Sequence, residues 1–326
     1  MNKYENFKPA KGLANRHIQT LFSTFFRKEI DQKAEVEEFK LDDGDILDCF
    51  WYAKEKINKN NPIVVIFHGL SGSFKSPYIQ GVIDNLVKNN FVAVLMHFRG
   101  CSGTPNYLAR SYHSGETKDA KSFIDSIVKK YPQNKLFAVG YSIGGNMLLK
   151  LLGELQNESK IIASVSVSAP MQLDITADSI NSGFSKFYQY HLLKSLKTTL
   201  LSKYKRHDMD SLLNKNEQDI KNIKTFWEFD NIYTAPIHGF NGVNDYYTKS
   251  SSRQYIKHIK SNTLIIHALD DPFMNNDILP QKNEIPKNVK LELYQNGGHL
   301  GFIGGTIFKP KYWLEGRIVN YFKNYL

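Results

Sequence analysis

The chain has 326 residues, of which 41% are hydrophobic and 23% are charged, and its formal net charge is +10. These proportions are those of ordinary globular proteins and exclude the disordered and fibrous classes, and the length suits one α/β domain with an insertion. The two cysteines, Cys49 and Cys101, are too few for a disulfide framework or a zinc site built on thiolates. The lysines are spread along the chain without a nucleic-acid-binding motif, so we expect a solvated basic surface and no nucleic acid partner.

The start of the chain has no apolar signal segment. The longest apolar runs, PIVVIF and FVAVLM, have the length of strands and are well short of the roughly 20 residues that cross a bilayer. We therefore expect a cytoplasmic protein without a transmembrane segment.

Strand and helix patterns alternate along most of the chain. The stretch VEEFKLDDGDILDCFWYA first predicts an antiparallel hairpin at the edge of a sheet. Strands are then predicted at IVVIF, FVAVLM, KLFAVGYS and IIASVSV, with helical patterns between them, and the alternation resumes at NTLIIHALDD, VKLELYQNGG and the closing helix PKYWLEGRIVNYFKNYL. Such alternation predicts a mostly parallel sheet with helices on both faces, in one domain over residues 1–326.

Residues 171–235 interrupt this rhythm and predict a helical lid over the sheet. Within them, one helical stripe carries Leu192, Leu193, Leu196, Leu200, Leu201 and Tyr204, and no acidic residue lies between Ser179 and His207. The stripe fits a lid that covers the core, while the basic opposite face would also suit peripheral contact with an anionic membrane. Four aromatic residues fit either the roof of an apolar pocket or core packing: Phe184, Phe187, Tyr188 and Tyr190.

The stretch VGYSIGGN places Ser142 between a predicted strand and a predicted helix. A Gly-x-Ser-x-Gly match alone is a weak signal, but this context is that of a nucleophile elbow, in which a strained turn lifts the serine hydroxyl above the sheet. Gly140 and Gly144 would allow the helix to approach the strand closely. The free N–H of Ile143, at the positive end of the helix, would stabilise an oxyanion.

A second oxyanion donor is expected in the stretch IFHGLSGS. The stretch follows a predicted strand, and the backbone N–H of Leu70 is the candidate donor. A plain turn at His68 and Gly69 is the alternative interpretation.

A serine nucleophile needs a histidine base and a carboxylate that orients it, in the chain order Ser, acid, His. Asp270 and Asp271 follow one late strand pattern, and His299 follows the next. The other nine histidines precede the acid in the chain, and His267 among them lies inside a strand pattern. The loop spacing favours Asp271 over Asp270, with both kept as candidates.

The motifs together resemble the YheT-like branch of the α/β-hydrolase superfamily, which includes plant Emb8-type proteins and animal abhydrolase-domain lipases. The resemblance is carried by FKPAKGLANRHIQTLF, HGLSGS, HFRGCSGTPN, SYHSGET, VGYSIGGN, APIHGF, DDPF and GGHLGF. It implies the α/β-hydrolase fold and a catalytic triad of Ser142, Asp271 and His299. Relatives often carry Glu and Asn where this chain has Ser71 and His97, a departure that bears on substrate preference.

The expected activity is hydrolysis of a carboxylic ester, either a small molecule or a lipid, without a cofactor, a metal or an obligate protein partner. Acyl transfer by the same triad and a non-catalytic binding protein on this fold are the alternatives. Arg99, in the loop FRGCSG, is expected either to contact substrate or to tie neighbouring loops together.

Overall fold

A computed structural model describes residues 7–30 and 32–326. Its strands are β1 (Glu35–Lys40), β2 (Ile46–Tyr52), β3 (Ile63–Phe67), β4 (Val92–Met96), β5 (Leu136–Tyr141), β6 (Ile161–Val167), β7 (Asn262–Ala268), β8 (Val289–Tyr294), β9 (Ile303–Gly305) and β10 (Pro310–Tyr312). Its α-helices are α1 (Arg16–Phe26), α2 (Pro77–Lys88), α3 (Thr117–Lys130), α4 (Ile143–Leu155), α5 (Leu173–Ile180), α6 (Ser185–Tyr204), α7 (Met209–Leu213), α8 (Glu217–Asn222), α9 (Phe226–Phe229), α10 (Ala235–Ile237), α11 (Val243–Ser250), α12 (Arg253–Ile256) and α13 (Trp313–Lys323). A π-helical turn, Asp230–Thr234, joins α9 to α10, and 3₁₀ turns lie at Lys54–Lys56, Gln156–Glu158, Asn276–Ile278 and Lys282–Glu284.

The main sheet has the strand order β1-β2-β4-β3-β5-β6-β7-β8. The strands from β4 to β8 in this order pair in parallel, while β1 and β2 form the predicted antiparallel hairpin at one edge. A separate antiparallel pair, β9 and β10, precedes the closing helix. The predicted fold class is therefore confirmed.

Helices cover both faces of the sheet, which is why the central strands are continuous apolar runs. On β3, Ile63, Val65 and Phe67 pack with α3 and α4 on one face. Val64 and Ile66 point to the other face and pack with α2 and α13. A strand buried on both faces needs apolar residues at every position, so β3 is IVVIF without the polar alternation of a half-exposed strand.

The predicted lid occupies the connection between β6 and β7, and its helices continue beyond residue 235. Pro236 is the second residue of α10, in the first turn, where its missing N–H is tolerated, so helical structure continues past this residue. The helices α11 and α12 follow before β7, and Ile256 of α12 joins the core beneath the sheet. Within the part of the chain that the structure describes, no helix is long and apolar enough to cross a membrane.

The parallel strands bring four loops to one edge of the sheet. These loops follow the carboxyl ends of β3, β5, β7 and β8 and contain Leu70, Ser142, Asp271 and His299 respectively. The carboxyl edge of a parallel sheet is the usual position of a ligand site in open α/β folds.

Candidate active site

Ser142 occupies the sharp turn between β5 and α4. Its backbone has φ 52° and ψ −122°, a conformation that residues other than glycine rarely adopt. The turn is fixed by two hydrogen bonds, from Ser142 N to Val167 O at 2.9 Å and from Asn146 N to Ser142 O at 3.0 Å. The strained elbow that the sequence predicted is therefore present, and it directs the hydroxyl away from the sheet.

Two glycines allow α4 to approach the sheet at this turn. A Cβ atom on Gly140 would lie 2.4 Å from Gly144 O, and one on Gly144 would lie 2.5 Å from His68 O. Both distances are far below a van der Waals contact. Any side chain at these positions would therefore push α4, and with it Ser142, away from the neighbouring strands.

The structure brings Ser142, His299 and Asp271 into one hydrogen-bonded chain. The Ser142 Oγ atom lies 3.1 Å from His299 Nε2, and His299 Nδ1 lies 2.8 Å from Asp271 Oδ2. The second oxygen of Asp271 accepts a hydrogen bond of 2.9 Å from Phe273 N. The arrangement holds the imidazole with Nδ1 protonated and leaves Nε2 to accept the serine proton.

Asp270, the other candidate acid, faces away from the imidazole. Its Oδ1 accepts a hydrogen bond of 2.9 Å from Gly298 N, and its Oδ2 lies 3.4 Å from Asn296 Nδ2. Burial raises the pKa of Asp270, although these hydrogen bonds oppose the effect. Asp270 thus holds the backbone of the loop that carries His299.

Two contacts to His299 were not predicted from the sequence. The Phe273 ring stacks on the imidazole at 3.9 Å between centroids, with an interplanar angle of 15°. The hydroxyl of Thr20, on α1, accepts a hydrogen bond of 2.9 Å from His299 N. Phe273 lies in DDPF and Thr20 lies in HIQT, two stretches that carry the family resemblance. The resemblance was therefore the sequence feature that could have indicated these contacts.

The HIQT stretch as a whole attaches α1 to the site. Gln19 is fully buried, and its side chain bonds both N and O of Ile303, at 2.7 and 3.1 Å. His17 Nδ1 lies 3.0 Å from the hydroxyl of Tyr188 on α6. The helix is therefore joined to the histidine loop on one side and to the lid on the other.

The loop after β3 leaves the N–H of Leu70 free beside the serine. Gly69 N donates to the Tyr78 hydroxyl and Ser71 N donates to the Tyr112 hydroxyl, both at 2.9 Å. Leu70 N has no hydrogen-bond acceptor among residues 7–30 and 32–326. A Cβ atom on Gly69 would lie 3.3 Å from Ser142 Cβ, so the loop passes directly against the nucleophile turn.

His68 fixes this loop as a neutral side chain. Its Nδ1–H donates to Gly69 O at 2.7 Å, and its Nε2 accepts from Phe98 N at 3.0 Å. Burial, with a smaller contribution from His97, lowers the pKa of His68 to about 3. His68 therefore has a structural role in the turn, because both of its ring nitrogens bond to the backbone. The backbone N–H of Leu70 remains the candidate oxyanion donor.

Ile143 supplies the second N–H that has no hydrogen-bond acceptor within the described part of the chain. It is the first residue of α4, where the N–H has no partner within the helix and the helix dipole is positive. Both predicted oxyanion donors, Leu70 and Ile143, line the same cavity as Ser142 and His299.

That cavity has a volume of about 720 Å³ and lies between the sheet edge and the lid. Its lining is mostly apolar, and the helices α1, α5, α6, α9 and α11 contribute about half of the lining residues. Among the aromatic residues predicted for a pocket roof, Phe187 and Tyr188 line the cavity, whereas Phe184 and Tyr190 do not. The volume is in the range of small-molecule sites.

Comparisons with known proteins match this architecture. The family model of the α/β hydrolase fold matches residues 62–306. The chain is 40% identical to the YheT protein of Escherichia coli (strain K12) over 320 residues, which cover 98% of this chain and 94% of that protein.

The chain belongs to the α/β-hydrolase family. It is also 30% identical to the monoacylglycerol lipase of Saccharomyces cerevisiae over 257 residues, which cover 76% of this chain and 56% of that protein. Among solved structures, the Pyrococcus furiosus esterase Pf2001 has the same fold, with a TM-score of 0.59 at 18% identity, covering 90% of this chain and 91% of that chain. The resemblance to YheT stated from the motifs is thereby confirmed.

One carboxyl group of this hydrolase faces the apolar cavity. Asp230 begins the π-helical turn, and its oxygens accept hydrogen bonds from Thr234 Oγ1 at 2.6 Å and Tyr247 Oη at 2.8 Å. Burial raises the pKa of Asp230 to about 6, and the two hydrogen bonds oppose this shift. No sequence pattern had singled out this residue, although π-helical turns are frequent at functional sites.

Arg99 ties loops of the hydrolase together. Its guanidinium is buried, and its three nitrogens contact the carboxylates of Asp43, Asp45 and Asp119 at 2.7–2.9 Å. Of the two roles expected for Arg99, the structure supports the link between loops. Within the described residues, no cluster of His, Cys, Asp and Glu is arranged to hold a metal ion.

Proposed function

We propose that the protein is a serine hydrolase that cleaves carboxylic esters through an acyl-enzyme on Ser142. The observation that carries the proposal is the chain from Ser142 Oγ through His299 to Asp271, with contacts of 3.1 and 2.8 Å. A serine hydroxyl is too weakly acidic to attack unaided, and this arrangement supplies the base and the group that orients it.

In the first half of the reaction, Ser142 Oγ attacks the ester carbonyl and His299 Nε2 accepts its proton. Asp271 stabilises the imidazolium that forms. The N–H groups of Leu70 and Ile143 bind the developing oxyanion, and each such donor lowers the barrier by about 3 kcal/mol. The imidazolium then protonates the leaving alcohol, and the acyl group remains on Ser142.

In the second half, a water molecule attacks the acyl-enzyme with His299 as the base. The same two N–H groups bind the second oxyanion. Collapse of this intermediate releases the acid and returns the proton to Ser142. Every step uses side chains and backbone groups of this chain and one water molecule.

We propose that the substrate carries an apolar acyl group, in a small ester or a lipid ester. The largely apolar cavity of about 720 Å³ supports this class, and so does the likeness to a relative named monoacylglycerol lipase. Asp230 and Tyr247 add polar groups to the wall, which would bind a hydroxyl on the substrate.

Hydrolysis of p-nitrophenyl esters of graded acyl length tests the proposal. Replacing Ser142 by Ala should lower the turnover by a factor of roughly 10⁴ or more, because the residual rate would come from binding and the oxyanion donors alone. The exposed Ser202 on α6 provides a matched control, and Ser202→Ala should keep the wild-type rate. Retention of most activity by Ser142→Ala would overturn the assignment.

Product analysis with competing acceptors separates hydrolysis from acyl transfer. We expect free acid as the main product when a small alcohol or a thiol is added. A dominant transfer product would instead make the protein an acyltransferase that uses the same residues.

A further inference from the structure

Exposed apolar side chains gather on α1 and on the first turns of α6. We call Ile18, Phe25, Phe26, Phe184, Phe187 and Tyr190 the aromatic rim. Their exposed fractions run from 42% for Ile18 to 71% for Phe25 and Phe26. Folding leaves these side chains in water, and exposed apolar patches of this kind often mark an interaction site.

The aromatic rim is continuous with the mouth of the cavity. His17 joins its two helices, because its ring lies 4.5 Å from that of Phe184 and its Nδ1 contacts the Tyr188 hydroxyl. The ring of Phe184 lies 5.7 Å from that of Phe187. Phe25 and Phe187 are 71% and 48% exposed and also line the cavity, so a substrate entering between α1 and α6 would pass the rim.

The two helices that carry the aromatic rim bear charge of one sign. Residues 7–28 and 179–207, which include both helices, contain no Asp or Glu. Exposed cations flank the rim at Arg16, Lys28, Lys186 and Lys194. Within residues 7–30 and 32–326, none of these four forms an ion pair, so their charge is available to an anionic partner.

We propose that the aromatic rim docks on the surface of an anionic lipid bilayer and places the cavity mouth against the lipid. Aromatic rings suit the boundary between headgroups and acyl chains, and lysines beside them gain from negative lipids. A protein partner is less well matched, since lysine is depleted in protein interfaces. The proposal rests in part on the proposed function, because a lipid ester would enter through this mouth.

Sedimentation of the full chain with vesicles tests the docking. One set of vesicles contains phosphatidylcholine alone, and the other contains equal parts of phosphatidylcholine and phosphatidylglycerol. We expect binding to the mixed vesicles that weakens as salt rises, because exposed charges are screened over about 10 Å at moderate ionic strength. Absence of binding to the mixed vesicles would overturn the proposal.

Two pairs of variants separate the rim from surface hydrophobicity in general. Phe26→Ser with Phe184→Ser removes two rim side chains that do not line the cavity and should weaken vesicle binding roughly tenfold or more. Val36→Ser with Leu293→Ser removes exposed apolar side chains from the two outer strands of the sheet and should leave binding unchanged. Equal binding by both doubles would overturn the proposal.

Two double variants test the contribution of the lysines beside the aromatic rim. Lys186→Gln with Lys194→Gln should lower binding to the mixed vesicles on the order of tenfold, with little effect on neutral ones. Lys257→Gln with Lys260→Gln is the matched control. These exposed lysines lie before the amino end of β7, whereas the cavity lies at the carboxyl ends of the strands. Loss of binding in the control alone would contradict the proposal.

Hydrolysis of a water-soluble short ester is measured on the same samples. Activity without vesicle binding would overturn the docking surface and leave the proposed hydrolase intact. Vesicle binding without activity would support docking while the proposed function fails. Dimers in light scattering that the Phe26→Ser and Phe184→Ser double variant abolishes would identify a second copy as the occupant and overturn the lipid proposal.

Discussion

At the residue scale, Asp270 and Asp271 show how two adjacent carboxylates acquire different roles. Asp271 contacts the imidazole of His299, whereas Asp270 contacts the backbone of the same loop at Gly298. We expect Asp271→Asn to lower kcat/KM for a short ester by a factor of roughly 10⁴, because the amide would favour the wrong imidazole tautomer. Asp270→Asn should lower kcat/KM far less. A larger loss of kcat/KM in Asp270→Asn than in Asp271→Asn would assign the role of the acid to Asp270.

Asp230 leads to a prediction about pH and stability. Its pKa in the fold, about 6, lies above the ordinary value of 3.8, so the folded protein holds this proton more tightly than the unfolded chain. The protonated Asp230 therefore stabilises the folded state. This contribution to the free energy of unfolding is fully present below the pKa of the unfolded chain and is lost as pH rises through the pKa of the folded protein. Asp230→Asn should therefore raise the free energy of unfolding at about pH 8, relative to wild type, by about 2 to 3 kcal/mol more than at about pH 4.

Urea unfolding of both proteins across this pH range measures the difference. The asparagine removes the charge of this partly buried side chain and keeps its shape. Loss of the hydrogen bonds to Thr234 and Tyr247 would add an offset that does not vary with pH. A difference between the two proteins that is constant from acid to neutral pH would contradict the burial of an ionisable carboxyl at this site.

At the element scale, α1 acts as part of the site although it precedes the sheet in sequence. The Thr20 hydroxyl donates to Arg16 O and accepts from His299 N, so one side chain links the helix to the histidine loop. Thr20→Val should lower kcat on the order of tenfold by releasing the backbone of His299, since small displacements of a catalytic group are costly.

Thr24, one turn later on α1, provides the matched control for Thr20. It lines the cavity but contacts no part of the histidine loop among the described hydrogen bonds. Ester kinetics on Thr20→Val and Thr24→Val compare the two positions. A fall in kcat of the same size in both variants would show that the loss at Thr20 comes from the cavity wall rather than from His299.

Elements with a local pattern were predicted well from the sequence. The strands β3 to β6, the elbow at Ser142 and the order Ser142, Asp271, His299 depend on residues that are close in sequence or on a fixed chain order. The place of α1 depends on contacts such as Thr20 with His299, across 279 positions, which periodicity does not encode. The helices between β6 and β7 continue past residue 235, where Pro236 is the second residue of α10.

At the scale of the whole molecule, a buried polar network joins the sheet edge, α3 and the lid. Arg99 pairs with Asp45 and Asp119, and Asn106 donates to Asp45 at 2.7 Å. Lys203 of α6 continues the network, with its Nζ 2.7 Å from Asn106 Oδ1. Burial lowers the pKa of Lys203 to about 8. The position of the lid over the cavity is therefore coupled to the packing of the loops after β4.

Removal of Arg99 should destabilise the fold strongly. Arg99→Met removes the cation that pairs with the buried carboxylates of Asp45 and Asp119 and leaves Asp119 only the Arg110 guanidinium, 3.6 Å away, which costs about 3 to 5 kcal/mol of unfolding free energy. Arg253→Met breaks the more exposed pair with Glu284 and should cost about 1 kcal/mol. Urea denaturation compares the two variants, and equal losses would contradict the structural role of Arg99.

The claim that Ser142 is a nucleophile is tested most directly by labelling with a fluorophosphonate, followed by peptide mapping in a mass spectrometer. We predict one phosphonate group per chain, on Ser142, with parallel loss of ester hydrolysis, and strongly slowed labelling in His299→Ala. Absence of labelling, a label on another residue, or hydrolysis that survives complete labelling would contradict the account.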